Sequence, residues 1–212
     1  MQQRDCVLPQ IIFESGWLLD SSIAEIAKVD PDQSAIEEVS NRLPEFQKAW
    51  GKFGHPLLEA AVQDSGLVFK ERDIKAVLIC GSFSSHSHPL ILNVKNYLKA
   101  LHVAPRSLDE FVEVVFHELL HILLQDNVAS WPTPFINQYS ECSFEMTAHL
   151  HLLALERRSH DILGKDCSWL EKWYAEIGDE YAKAWRIVSN DANQSTLLAE
   201  ISSEFRQPEI FM

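Results

Sequence analysis

One stretch of the chain, from Leu108 to Leu124, places the strongest constraint on the fold, because it is apolar on almost every side of a helix and still carries ionisable groups. Its apolar side chains predict a buried helix. The polar side chains in and just after it recur at steps of three and four residues and share one stripe: Glu110, Glu113, His117, Glu118, His121 and Gln125. Burying imidazoles and carboxylates costs on the order of several kcal/mol unless they are paired or bind a metal. The stripe therefore needs a partner.

The stripe contains an HExxH motif, His117-Glu118-Leu119-Leu120-His121. Histidines at positions i and i+4 project from one helix face, so both imidazoles can reach a single Zn²⁺, with the glutamate beside its open coordination position. Ser107 and Glu110 form an S-x-x-E capping box, which fixes the start of the helix and supports this register. The competing interpretation is a pair of core histidines hydrogen-bonded to neighbouring acids.

The segment resembles the active-site helix of the zincin superfamily of metallopeptidases. Residues Ile122 to Asn127 lack the glycine and histidine of the longer HExxHxxGxxH form, so the segment is more similar to the gluzincins typified by thermolysin. The resemblance implies that His117 and His121 bind a catalytic Zn²⁺. It also implies that zinc-activated water hydrolyses a peptide bond in a peptide or protein substrate, with Glu118 as the general base.

The third zinc ligand has to come from another part of the chain, because a catalytic zinc usually has three protein ligands and a water. Glu141, Glu145 and His149 recur every four residues on a helix predicted to run from Pro134 to about Arg158. Successive helical turns are about 5.4 Å apart, so one or two of these side chains at most can reach the ion.

Three ligand sets remain open. The chain length between His121 and Glu141 is similar to the thermolysin spacing and favours Glu141 as the third ligand. Glu145 then stands where that family carries an aspartate that orients a ligand histidine. The alternatives are Glu145 as the ligand with His149 alongside, and a site of His117, His121 and His149. A solvated polar face is the simpler interpretation of the same pattern.

Other polar residues near the motif have predicted roles. Tyr139 and His149 are the candidates to donate a hydrogen bond to the developing oxyanion. In zincins an edge strand before the HExxH helix pairs with substrate backbone, and Leu90 to Val94 stands where the resemblance places that strand. His86 and His88 lie just before it, and an exposed loop is favoured there over a second metal site.

The predicted fold class is α+β. Strands are expected at residues 11–18, 74–83 and 90–94, and helices fill the chain from residue 107 onwards, one of them from Ser168 through Trp185. The resemblance implies a zincin-like fold, in which a small N-terminal β-sheet with helices is followed by the HExxH helix and an all-helical C-terminal half. We expect a single domain over residues 1–212, with an α+β part at about 1–105 and a helical part at about 106–212.

Charge and hydropathy argue against some classes of binding partner. The net charge of −13 and the absence of a Lys/Arg run argue against nucleic-acid binding, and no apolar run is long enough for an integral membrane segment. A cytoplasmic location is expected if Met1 is the native start, and a periplasmic or secreted one if a signal peptide was removed. Cys6, Cys80, Cys142 and Cys167 form no CxxC motif, and their disulfide status and the oligomeric state stay open.

Two rival functions are compatible with the same residues. The helical C-terminal half could be a non-enzymatic interaction module in which a closed, structural zinc site holds two helices together. A zinc hydrolase of a non-peptide substrate would also carry HExxH.

Overall fold

The computed structural model describes residues 8–28 and 32–205, which form a mostly helical α+β structure with one three-stranded sheet. The strands are β1 (Gln10–Ser15), β2 (Asp73–Ile79) and β3 (Ile91–Asn93). The helices are α1 (Trp17–Ala27), α2 (Gln33–Ala49), α3 (His55–Ser65), α4 (Leu108–Asn127), α5 (Pro134–Asn137), α6 (Phe144–Ile162), α7 (Ser168–Ile177), α8 (Asp179–Val188) and α9 (Asp191–Glu204). A π-helical stretch, Trp50–Gly54, joins α2 to α3, and a 3-10 turn, Lys95–Tyr97, follows β3. The predicted α+β class is confirmed at this level.

The sheet is parallel, with the strands in the order β1, β2, β3. Its register pairs Ile11 with Ile74, Phe13 with Ala76, and Leu78 with Leu92. All three strands lie within the predicted segments or extend them by one residue, but each is shorter than expected. β1 ends before Gly16, where the chain approaches β2 so closely that a Cβ atom would lie 2.7 Å from Cγ2 of Ile79. Only glycine fits so close to a neighbouring strand.

A buried carboxylate ends β2. Asp20 in α1 is 5% exposed and accepts hydrogen bonds from the backbone N–H groups of Cys80, at 3.0 Å, and Gly81, at 2.8 Å. These two N–H groups are therefore not available to continue the sheet. Burial raises the pKa of Asp20, and the two backbone hydrogen bonds act against that rise. The strand predicted to reach Phe83 consequently stops at Ile79.

The outer edge of β3 is bonded to the chain's own loop. His86 and Ile91 exchange two backbone hydrogen bonds of 2.8 Å, and the backbone N–H of Asn93 donates to Oγ of Ser85 at 3.0 Å. An added peptide strand would use these same outward-facing groups. The substrate pairing expected for Leu90 to Val94 would therefore require the loop to be displaced.

The chain divides into two compact units, and two of the four boundaries between them fall inside helices. The first unit holds residues 9–56 and 71–122, and the second holds residues 57–70 and 123–205 together with residue 8. The two boundaries that fall inside helices lie after Pro56 in α3 and after Ile122 in α4. Each of these helices continues from one unit into the other.

The first unit has an aromatic core around Phe111. This residue is 1% exposed, and its ring centroid lies 4.6 Å from that of Phe46, 5.7 Å from that of Phe13 and 5.8 Å from that of Tyr97. The four rings come from α4, α2, β1 and the 3-10 turn. Phe111 of α4 therefore contacts aromatic rings from three other elements of the unit.

The second unit is helical, with α6 packed against α8 and α9. The buried carboxylate of Glu200 in α9 has several hydrogen-bond partners within this unit. Its Oε2 accepts from Oγ1 of Thr133 at 2.6 Å and lies 3.0 Å from Nε2 of His151, and its Oε1 accepts from the backbone N–H of Phe135 at 2.6 Å. Glu200 therefore ties the start of α5 to α6, and a buried carboxylate needs that many partners to be tolerated.

Two predicted long helices are each broken. The helix expected from Pro134 to about Arg158 is divided into α5 and α6 by the turn over residues 138–143. Ser143 caps the second part, since its Oγ accepts from the backbone N–H of Met146 at 3.1 Å. The helix expected from Ser168 through Trp185 is divided at Gly178 into α7 and α8.

No helix among the described residues is both long and apolar enough to cross a membrane. Cys80, Cys142 and Cys167 are free thiols, and Cys6 lies outside the described residues.

Replacing Phe111 with alanine should lower the free energy of unfolding by about 3–5 kcal/mol, because the change removes a fully buried ring and leaves a cavity. Phe144, which is 76% exposed, offers a matched control, and its alanine variant should stay within about 0.5 kcal/mol of the wild type. Urea unfolding followed by circular dichroism measures both changes. Equal losses in the two variants would contradict the aromatic core described here.

Candidate metal centre

Helix α4 starts where the capping box predicts. The backbone N–H of Glu110 donates to Oγ of Ser107 at 3.2 Å, and the backbone N–H of Ser107 donates to the carboxylate of Glu110 at 3.4 Å. This reciprocal pair satisfies two N–H groups at the helix start, where no intrahelical partner exists. The register of the HExxH motif within the helix follows from that start.

The two motif histidines lie one turn apart on α4. Their ring centroids are 5.0 Å apart and their planes are inclined at 76°. His117 is 7% exposed and His121 is half-buried, while the intervening Leu119 and Leu120 are completely buried. The apolar residues thus hold this part of α4 in the protein interior and leave both imidazoles on one face.

His149 in α6 has a defined tautomer. Its Nδ1 lies 2.6 Å from the backbone carbonyl oxygen of Glu145, which can only accept, so Nδ1 carries the hydrogen and donates. Burial lowers the pKa of His149 and keeps the ring neutral near pH 7. The lone pair is consequently on Nε2. Metal-binding histidines commonly donate their other ring N–H to a backbone carbonyl in this way.

The structure brings the three imidazoles together. One ring nitrogen from each of His117, His121 and His149 lies within 4.8 Å of the other two. Tetrahedral Zn²⁺ with Zn–N bonds of about 2.0–2.1 Å holds its nitrogen ligands about 3.4 Å apart. Three neutral imidazoles are a donor set that zinc prefers, and they leave a fourth coordination position open. The residues present fit the ion.

Glu118, which follows His117 in the sequence, has a shifted carboxyl pKa. Its side chain is half-buried, and burial raises the pKa of its carboxyl group to about 7. A carboxyl group with such a pKa can both accept and return a proton at neutral pH. A divalent cation nearby would favour the ionised form and lower that pKa.

The other predicted site residues lie elsewhere. Glu141 is exposed in the turn before α6, because the helix that was to carry it begins only at Phe144. Glu145 is exposed in the first turn of α6 and contributes its backbone carbonyl to His149. Tyr139 is half-buried, with its ring centroid 5.5 Å from that of Phe135. Of the three ligand sets left open by the sequence, the structure assembles the one made of histidines.

The exposed histidines of the loop before β3, His86 and His88, join no metal-binding group among residues 8–28 and 32–205. His86 instead packs against Phe83, with ring centroids 4.7 Å apart.

One site residue was missed by sequence reasoning. The ring of Tyr181 in α8 lies against that of His149, with centroids 4.3 Å apart. In the sequence Tyr181 belongs to an aromatic segment whose spacing predicts core packing. Nothing in that local pattern indicates a contact with a candidate ligand, because the contact depends on how α8 packs against α6.

Comparison with known proteins gives no relative for this chain: no protein-family model, no curated protein and no solved structure matches it.

The full chain should bind one Zn²⁺, and His149→Ala should weaken binding by more than about 100-fold because it removes a direct ligand. Glu141→Ala is the discriminating control and should leave the affinity unchanged, since that side chain is exposed in a turn. Competition against a chromophoric chelator measures both affinities. At free zinc 100 times Kd, the wild type should also gain about 2.7 kcal/mol of stability.

Loss of zinc from the Glu141 variant together with retention in the His149 variant would contradict the three-histidine site and restore the glutamate as third ligand.

Proposed function

We propose that this chain is a zinc-dependent hydrolase of the zincin type, and that it cleaves peptide bonds. The observation that carries the proposal is the cluster of His117, His121 and His149, with Glu118 directly after His117 in the sequence. The HExxH motif supplies the first two histidines and the glutamate, and the fold adds the third histidine from a different helix. The zincin-like fold is part of the same proposal.

Zn²⁺, when bound, would act as a Lewis acid and lower the pKa of water towards roughly 7. The three histidines would hold the ion as neutral imidazoles. In an HExxH motif the glutamate lies beside the open coordination position of the metal, so we assign Glu118 to proton transfer. Its carboxylate takes a proton from the attacking water and returns it to the leaving nitrogen.

His149 has a different role from the oxyanion donor considered from the sequence. Its Nδ1–H is engaged with the carbonyl oxygen of Glu145, and its Nε2 carries the lone pair. No N–H is left for a developing oxyanion, so we assign His149 to the metal. Tyr139 remains the predicted oxyanion donor, and its packing against Phe135 leaves it half-buried rather than enclosed.

An open coordination position favours catalysis over a purely structural role. Structural zinc sites are closed by four protein ligands, usually with cysteine among them. The metal-binding group found among the described residues has three members, all histidine. The choice of peptide bonds over other hydrolysable bonds is supported by the resemblance of residues 107–127 to the zincin active-site helix.

Glu118→Gln should retain one zinc per chain and lose at least about 100-fold in kcat, because the amide keeps the shape of the side chain but cannot accept the proton. Glu37→Gln, at an exposed position of α2, is the matched control and should keep full activity. Hydrolysis of a denatured-protein and peptide library, with and without chelator, measures the rates. Zinc content is measured on the same samples.

A Glu118→Gln variant with full hydrolytic activity would overturn the assigned base. Tight zinc binding without hydrolysis of any peptide by the wild type would favour a non-peptide substrate or a structural site.

A further inference from the structure

The ring of Tyr181 packs against the ring of His149. The ring centroids are 4.3 Å apart and the planes are inclined at 50°. Tyr181 lies in the first turn of α8, and its side chain is half-buried. The hydrogen bond to the carbonyl oxygen of Glu145 fixes the direction of Nδ1, but a single hydrogen bond leaves the imidazole able to rock about that axis. A second ring packed against the imidazole restricts that motion.

The residue before Tyr181 fastens α8 to the same part of α6. Oγ of Ser143, the N-cap of α6, donates a hydrogen bond to the carboxylate of Glu180. Glu180 is in turn paired with Lys183, at 2.6 Å. Two successive residues of α8 therefore contact the start of α6, one at its N-cap and one at His149.

The ring of Tyr181 also contacts a second tyrosine ring. Tyr174 in α7 stacks parallel to it, with centroids 6.0 Å apart and planes inclined at 5°. The hydroxyl of Tyr174 donates to the carboxylate of Glu156, which is completely buried in α6. These contacts form a continuous chain from His149 of α6, through the rings of Tyr181 and Tyr174, to Glu156, which is also in α6.

We propose that Tyr181 is a positioning residue for the third metal ligand, holding the His149 ring so that Nε2 faces the nitrogens of His117 and His121. The proposal rests on the metal site of the proposed function. The contact between Tyr181 and His149 is a contact of the two rings. Phenylalanine should therefore replace Tyr181, whereas a side chain without a flat ring should not.

The test measures metal affinity of the full chain in four variants. Tyr181→Ala and Tyr181→Leu remove the ring, and Tyr181→Phe keeps it. Val188→Ala, at a completely buried position in the last turn of α8, is the control for lost packing that does not involve His149. Zn²⁺ affinity is measured by chelator competition, and Co²⁺ is used as a spectroscopic probe of ligand geometry. Thermal unfolding of the metal-free chains records stability separately, and Tyr181→Leu serves if the alanine variant does not fold.

We expect Tyr181→Ala and Tyr181→Leu to bind Zn²⁺ about 10- to 100-fold more weakly and to alter the Co²⁺ absorption bands, which is the range for residues that orient a ligand. Tyr181→Phe and Val188→Ala should bind as the wild type does. Wild-type affinity in the ring-deleted variants, or equal weakening in Tyr181→Phe, would overturn the positioning role while leaving the metal site intact. Failure of the wild type to bind zinc, or binding that survives His117→Ala, would instead overturn the proposed function and this inference with it.

Discussion

Burial of polar groups on α4 is the constraint on which the rest of the candidate site depends. Leu119 and Leu120 are completely buried, so the helix cannot turn the neighbouring His117 away from the interior without exposing them. The cost of keeping an imidazole there is offset only if it finds a partner or an ion. A metal ion held by the three histidines, as proposed, would satisfy that requirement and would account for ionisable residues in an otherwise apolar helix.

The second unit shows how much supporting structure a single well-placed imidazole requires. Nδ1 of His149 is hydrogen-bonded to a backbone carbonyl, and its ring packs against that of Tyr181. Glu200 fixes the segment around Thr133 and Phe135 to α6 and α9 by buried hydrogen bonds. Buried hydrogen bonds of this kind favour one arrangement of the chain, because an alternative leaves a carboxylate or an N–H without these partners.

Features set by local sequence could be predicted, and features set by tertiary packing could not. The start of α4 follows from the capping box of Ser107 and Glu110, which lie three residues apart. The strands follow from short apolar runs, although Gly16 and Asp20 end two of them for reasons that involve β2 and its following loop. The i, i+4, i+8 spacing of Glu141, Glu145 and His149 suggested one helical ridge. In the structure Glu141 lies in the turn before Phe144 and not on that helix. The spacing of polar residues does not reveal that Ser143 is the N-cap of α6.

The central claim is that three imidazoles and no carboxylate bind the ion. An anomalous difference map recorded at the zinc edge from crystals of the full chain tests it most directly. The account predicts one peak about 2.0–2.1 Å from a nitrogen of each of His117, His121 and His149, with a non-protein fourth ligand. A peak bound to Glu141 or Glu145, or a fourth protein ligand closing the site, would contradict it.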